Sequence, residues 1–153
     1  MTLSVTGHRL GRKLGGYGEE VLAALQRVAL RGLEQLQPDK VITGMALGWD
    51  QAVAIACLDL GIPFHAAVPF DGQDAVWPHH SRQLYHSLLS KAAEVTVVSP
   101  GPYAAWKLYR RNEWMIDHSD LVLALWDGSP DGGTAACVRY AQSKGKSVLN
   151  VWS

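Results

Sequence analysis

The sequence predicts an α/β fold: a single Rossmann-like domain over residues 1–153, with a mostly parallel six-stranded sheet and helices on both faces. Two observations predict it. Short β-branched runs alternate with longer amphipathic stretches along the whole chain, giving six strands separated by five helices, the sequence form of a doubly wound sheet. The length of 153 residues, with 48% hydrophobic and 18% charged content, suits one well-buried core and excludes a disordered or fibrous chain.

Each element has its own signal. Leu3–Thr6 reads as the first strand and breaks at Gly7. Residues 18–36 then carry Val21, Leu25, Val28, Gly32 and Leu36 on one helical face, and Pro38 stops that helix. Lys40–Thr43 is the second strand, closed by Gly44. The Ala-rich helix Trp49–Leu60 must pack closely on most sides, with Gly61 in place to end it. Pro63–Val68 is the third strand. Pro78 opens a helix through Ser90 that turns Leu84, Tyr85, Leu88 and Leu89 inward. Glu94–Val98 is the fourth strand, residues 104–118 the fourth helix and Asp120–Trp126 the fifth strand. Asp131–Lys144 is the last helix and Ser147–Trp152 the last strand. The apolar runs of strands four and five predict strands covered on both faces.

Composition narrows the function. Lys and Arg number 14, as do Asp and Glu, so the net charge is zero and a nucleic acid is an unlikely partner. No apolar run approaches the length of a membrane span, and the N-terminus lacks the pattern of a signal peptide. With Cys57 and Cys137 both inside apolar helical patterns, the expectation is a cytoplasmic chain with reduced thiols and no membrane contact. Six Trp against two Phe mark surfaces that are half apolar and half polar, either pocket walls or a subunit interface. A homo-oligomer is therefore expected, with Trp106 and Trp114 of the fourth helix near the contact.

Ligands of open α/β sheets bind at the carboxyl ends of the strands. There the sequence places Thr6-Gly7-His8-Arg9, Thr43 to Gln51, Pro69 to Gln73, Ser99 to Tyr103, and Asp127 to Thr134. Two of these segments suit a phosphate. Gly132, Gly133 and Thr134 open a helix, where free N–H groups and the positive helix end meet an anion and the absent Cβ atoms admit it. Gly44 to Gly48 does the same before the second helix, with Asp50 placed for a ribose hydroxyl or as a helix cap. Arg9 would add positive charge. On the fourth helix, Arg110, Glu113 and Asp117 share one face, while Arg111 and Asn112 point elsewhere, into solvent or into the pocket. The histidines form no metal-ligand pattern, so no metal is expected; His8 alone lies in a strand-end loop. Neither a dinucleotide fingerprint nor a P-loop occurs, and no cofactor is expected.

Five motifs, TGHR at 6–9, TGMALGWDQ at 43–51, VPFDGQ at 68–73, RRNEWMIDHSD at 110–120 and WDGSPDGGT at 126–134, resemble the YpsA-like branch of the SLOG superfamily. That superfamily includes the LOG phosphoribohydrolases and the DNA-processing protein DprA. The resemblance implies a Rossmannoid fold whose three glycine loops line a nucleotide pocket. Those loops fall here on Gly7, His8 and Arg9; on Gly44, Gly48 and Asp50; and on Gly132, Gly133 and Thr134. The LOG loop PGGxGTxxE has no Glu in this chain, because Cys137 stands at that position. The expected partner is a small nucleotide or nucleotide-derived ligand, a nucleoside phosphate or an ADP-ribose-like molecule. An N-glycosidase is the alternative, with Glu113, Asp50 or Asp127 as the carboxylate that activates water. A DprA-like nucleic-acid module is the weaker one.

Overall fold

A computed structural model describes residues 1–16 and 18–153. Six strands, β1 (Thr2–Gly7), β2 (Lys40–Thr43), β3 (Phe64–Val68), β4 (Glu94–Val97), β5 (Leu121–Leu125) and β6 (Ser147–Asn150), form one sheet in the order β4-β3-β2-β1-β5-β6. Every pairing is parallel, so the sheet is wholly rather than mostly parallel. Five helices connect them: α1 (Glu19–Leu36), α2 (Trp49–Leu60), α3 (His79–Lys91), α4 (Ala105–Asp117) and α5 (Gly133–Ser143). A single 3-10 turn, Arg12–Leu14, follows β1.

Alternation along the strands builds two cores. Leu3 and Val5 of β1, Val41, Phe64, Ala66, Leu123 and Leu125 point to one face and pack with α1, α2 and α3. Their neighbours Ile42, Ala67 and Val122 point to the other face and meet Met115 and Ile116 of α4 and Cys137 and Ala141 of α5. α2 is buried over most of its length, as its Ala-rich sequence demands, and ends at Gly61 in the left-handed conformation. α1 ends instead on Gln37, also left-handed, one residue before Pro38.

Strand four departs from expectation. β4 pairs only with β3, at the edge of the sheet, and its residues run from half-buried to exposed; Val95 is 49% exposed. A short apolar run does not distinguish a central strand from an edge strand, since both need only one covered face to fold. β5, between β1 and β6, is buried as predicted.

The order matters for function. β1 through β4 run outward in one direction, and the chain then crosses back over α4 to lay β5 on the other side of β1. Strand order reverses between β1 and β5, and the loops that follow these two strands diverge to leave a crevice there.

Candidate functional site

A cleft of about 580 Å³ opens at that reversal, within the range of small-molecule sites. Four elements line it: the end of β1 and its loop through Lys13, the start of α2 with Ala46 and Asp50, one face of α4, and Asp131 to Thr134 at the start of α5. Of the sequence-predicted residues, Gly7, His8, Arg9, Asp50, Arg111, Asn112, Gly132, Gly133 and Thr134 come together in it. Gly44, Gly48, Glu113 and Asp127 do not line it.

The two absent glycines have a different purpose. A Cβ at Gly44 would stand 2.7 Å from Cζ of Arg111 and 3.0 Å from Oδ2 of Asp50. A Cβ at Gly48, where φ is +104°, would stand 2.7 Å from the Leu10 nitrogen. Gly44 is therefore the seat of a buried side chain, and Gly48 lets two loops touch. Leu10 N donates to Leu47 O at 3.2 Å and Trp49 N to His8 O at 3.4 Å, which ties the β1 loop to the start of α2. The sequence signal, glycine before a helix, is the same for a phosphate loop and for close loop packing.

Arg111 is 3% exposed. Its Nη1 donates to Gly44 O at 2.7 Å and Ala67 O at 3.1 Å, and its Nε to Oδ1 of Asn112 at 2.9 Å. Gly44 O also accepts from Nε2 of Gln73 at 3.1 Å, and Gln73 accepts from the Tyr85 hydroxyl at 3.2 Å. This chain of polar contacts runs from α3 to the floor of the cleft and was not legible in the sequence.

Asp50 faces Arg111 across Gly44. Its residue is 8% exposed, Oδ2 accepts from Ala46 N at 3.3 Å, and Oδ1 has no hydrogen-bond partner. Burial pushes its carboxyl up to about 6, against the pull of Arg111, the Ala46 N–H and Arg9. A buried carboxylate oxygen without a donor is costly in a finished protein interior, and Asp50 is among the residues that line the cleft. It is not a helix cap, because it sits inside the first turn of α2.

At the other wall, α5 begins at Gly133 with Gly132 at φ +96°, and a Cβ at either position would meet nothing within 4 Å. The N–H groups of Gly133 and Thr134 have no protein acceptor among the described residues. Arg9 is exposed at the rim and Asp131 stands on the same side.

His8 is buried, and burial lowers its pKa against the pull of Asp127. Its Nε2 lies 3.0 Å from Asp127 N and 3.1 Å from Asp127 Oδ1, which ties the β1 loop to the loop after β5. Asp127 itself takes the hydroxyl and N–H of Ser129, at 2.6 and 3.1 Å, and lies 3.3 Å from Lys13 Nζ. These donors hold its carboxyl below the usual range, so Asp127 is poorly suited to accept a proton. Glu113 is half-buried on another face of α4, and no Arg110–Glu113 ion pair occurs among the described residues; Asp117 instead accepts from the Tyr140 hydroxyl at 2.8 Å. Burial pushes the Cys137 thiol up to about 11. Of the three carboxylates proposed from sequence, Asp50 alone reaches the cleft. Among the described residues no group of three or more His, Cys, Asp or Glu side chains is placed to hold a metal ion, and no helix is long and apolar enough to cross a membrane.

The aromatic side chains divide. Tyr109, 49% exposed, lines the cleft. Tyr103 packs edge-on against Phe70 instead, at 5.3 Å between ring centroids. Trp49 is fully buried, and Trp114 stacks on His118 at 4.1 Å.

A family model described as the YspA SLOG family matches residues 3–150, nearly the whole chain. The chain belongs to the YspA SLOG family. The resemblance read from the five motifs is thereby borne out. This YspA SLOG protein is 37% identical over 120 residues to the SPbeta prophage-derived protein YoqJ of Bacillus subtilis, covering 67% of this chain and 69% of that one. Among solved structures, the DNA processing protein A of Streptococcus pneumoniae superposes with a TM-score of 0.70 at 20% identity, covering 96% of this chain and 48% of that one. The homologous Helicobacter pylori protein gives 0.67 at 17% identity, covering 97% and 63%. The chain thus spans about half to two-thirds of these neighbours, which share its fold. The Helicobacter pylori protein binds single-stranded DNA, so these neighbours lend no support to the expectation that nucleic acid is an unlikely partner.

Proposed function

We propose that the cleft between β1 and β5 binds a nucleotide or nucleotide-derived ligand, a nucleoside phosphate or ADP-ribose-like molecule. One observation carries the reading. Asp50, whose buried Oδ1 has no partner, and Gly132 to Thr134 at the start of α5 line the same cleft. The first asks for a ligand donor such as a ribose hydroxyl, and the second for an anion such as a phosphate. A phosphorylated ribose carries both. Arg9 at the rim adds charge, and about 580 Å³ accommodates a ligand of this size. A thermal-shift screen of nucleotides followed by calorimetry tests it, since a ligand that binds only the folded state raises stability by mass action. The absence of any stabilising phosphorylated ribose would defeat the reading.

A second reading, N-glycosidic hydrolysis, is favoured by one observation: a buried cleft carboxyl raised to about 6 is suited to exchange a proton near neutral pH. Incubation with nucleoside monophosphates and chromatography for free base tests it. Base release that scales with protein and vanishes in Asp50→Asn supports hydrolysis; no release leaves a binder. For the nucleic-acid reading, anisotropy of a labelled oligothymidylate across a salt series is the measurement, and no binding at low salt discards it.

A further inference from the structure

The α4 wall of the cleft has a feature that the binding of ribose and phosphate does not use. Ala105, Leu108, Tyr109 and Asn112 recur at helical spacing and turn toward the cleft, while Arg111 turns under them to the floor. Arg111 Nε can only donate, so its 2.9 Å contact fixes which end of the Asn112 carboxamide faces it: the oxygen. Because Arg111 is itself held by Gly44 O and Ala67 O, the amide cannot flip without stranding a buried guanidinium N–H. Asn112 therefore offers the cleft its NH2 group, which makes no hydrogen bond to protein among the described residues. A second donor approaching Oδ1 would meet the positive guanidinium. The residue is a donor locked in place.

Resting on the nucleotide reading above, we propose that Asn112 selects nucleotides whose base carries a carbonyl at purine position 6 or pyrimidine position 4, with the ring stacked on Tyr109. Tyr109 lies three residues before Asn112 on the same face of α4 and presents about half of its surface. A base on that ring brings its edge toward Asn112. O6 of guanine or hypoxanthine, or O4 of uracil, accepts from the amide. At the same positions N6 of adenine and N4 of cytosine set N–H against N–H and leave both donors unpaired.

Calorimetry with guanosine, adenosine, uridine and cytidine 5′-monophosphates, together with ribose 5-phosphate, tests this on the wild-type chain. The expected result is a preference of about tenfold for guanosine over adenosine and for uridine over cytidine. Asn112→Asp keeps an oxygen for Arg111 and replaces the donor by an acceptor, so it reverses both preferences; its added charge acts alike on all five phosphorylated ligands, and the affinity ratios read the preference. Tyr109→Ala weakens all four nucleotides but not ribose 5-phosphate. Binding of ribose 5-phosphate with no preference among the four wild-type nucleotides overturns base selection and leaves the cleft reading intact. Failure of all five to bind overturns both. The wild-type comparison depends on no variant's folding.

Discussion

The indole of Trp49 fills the space in which a side chain at Gly7 would stand: a Cβ there would lie 2.4 Å from Cδ1. Trp49 is fully buried, and its Nε1 donates to Leu123 O at 3.4 Å, so the ring is wedged between the end of β1 and the next strand. The first strand ends in glycine because the first residue of α2 packs across it. This contact also sets where His8 and Arg9 enter the cleft.

Gly7→Ala should therefore destabilise the fold by about 1–3 kcal/mol, the usual cost of overpacking a core that cannot yield. Urea unfolding reads it as a lower midpoint with unchanged slope. A wild-type midpoint would show that the indole moves aside freely.

Gly133 and Gly44 make a contrast that separates a cleft-lining glycine from a packing one. A Cβ at 133 meets nothing within 4 Å, whereas one at 44 meets the Arg111 guanidinium at 2.7 Å. Gly133→Val should stay within about 0.5 kcal/mol of wild type in stability and bind phosphorylated ligands at least about tenfold more weakly, its branched side chain standing over the open N–H groups. Gly44→Ala should cost about 1–3 kcal/mol in stability, because Arg111 must leave its seat. Equal affinity of folded Gly133→Val for a phosphorylated ligand would remove the α5 terminus from the site.

Asp50 gives a pH dependence with a definite sign. Its folded-state pKa of about 6 lies above the ordinary 3.8, so between these values the folded chain holds a proton that the unfolded chain releases. Stability must then fall as pH rises through roughly 4 to 6 and level off above. At about 1.4 kcal/mol per pKa unit the loss is on the order of 1–3 kcal/mol. Asp50→Asn cannot titrate, so the stability difference between wild type and variant should change by that amount from pH 4 to pH 7. A difference that stays flat would place the carboxyl in a more polar setting. The constant offset left by an unbalanced Arg111 does not affect this comparison.

How far the sequence reached follows from what each signal encodes. All six strands and five helices were legible, within about two residues at each end, because hydrophobic period and glycine and proline punctuation are local. So was the edge of the sheet where the cleft opens, since topology sends every strand's carboxyl end there. The use of each glycine was not: Gly44 and Gly133 look alike in sequence, and only the arrival of Arg111 from a helix 67 residues away distinguishes them. The same holds for carboxylates. Glu113, Asp50 and Asp127 are equivalent as residue types, and burial with a missing partner singles out Asp50. Tyr109 carried a signal, an aromatic at helical spacing beside RRN, but that signal reads equally as interface or as pocket wall. The Gln73 and Tyr85 support beneath Arg111 had no local signal at all.

Assembly supplies the last prediction. Trp114 is partly covered, by its stack on His118 and its edge contact to His65 at 5.3 Å. Trp106 is not: it is 61% exposed on the first turn of α4, with Tyr103 65% exposed just before it, and both lie outside the cleft lining. An indole left in water on a chain of zero net charge forgoes about 1.5–3 kcal/mol of burial, and exposed aromatics of this kind characterise interface cores. The chain should therefore self-associate through the start of α4. Light scattering at low micromolar concentration should give a mass of at least two chains, and Trp106→Ala should shift it toward one, while Trp114→Ala lowers thermal stability without changing the mass. A wild-type mass of one chain would refute association outright, and an oligomer untouched by Trp106→Ala would place its interface on another surface.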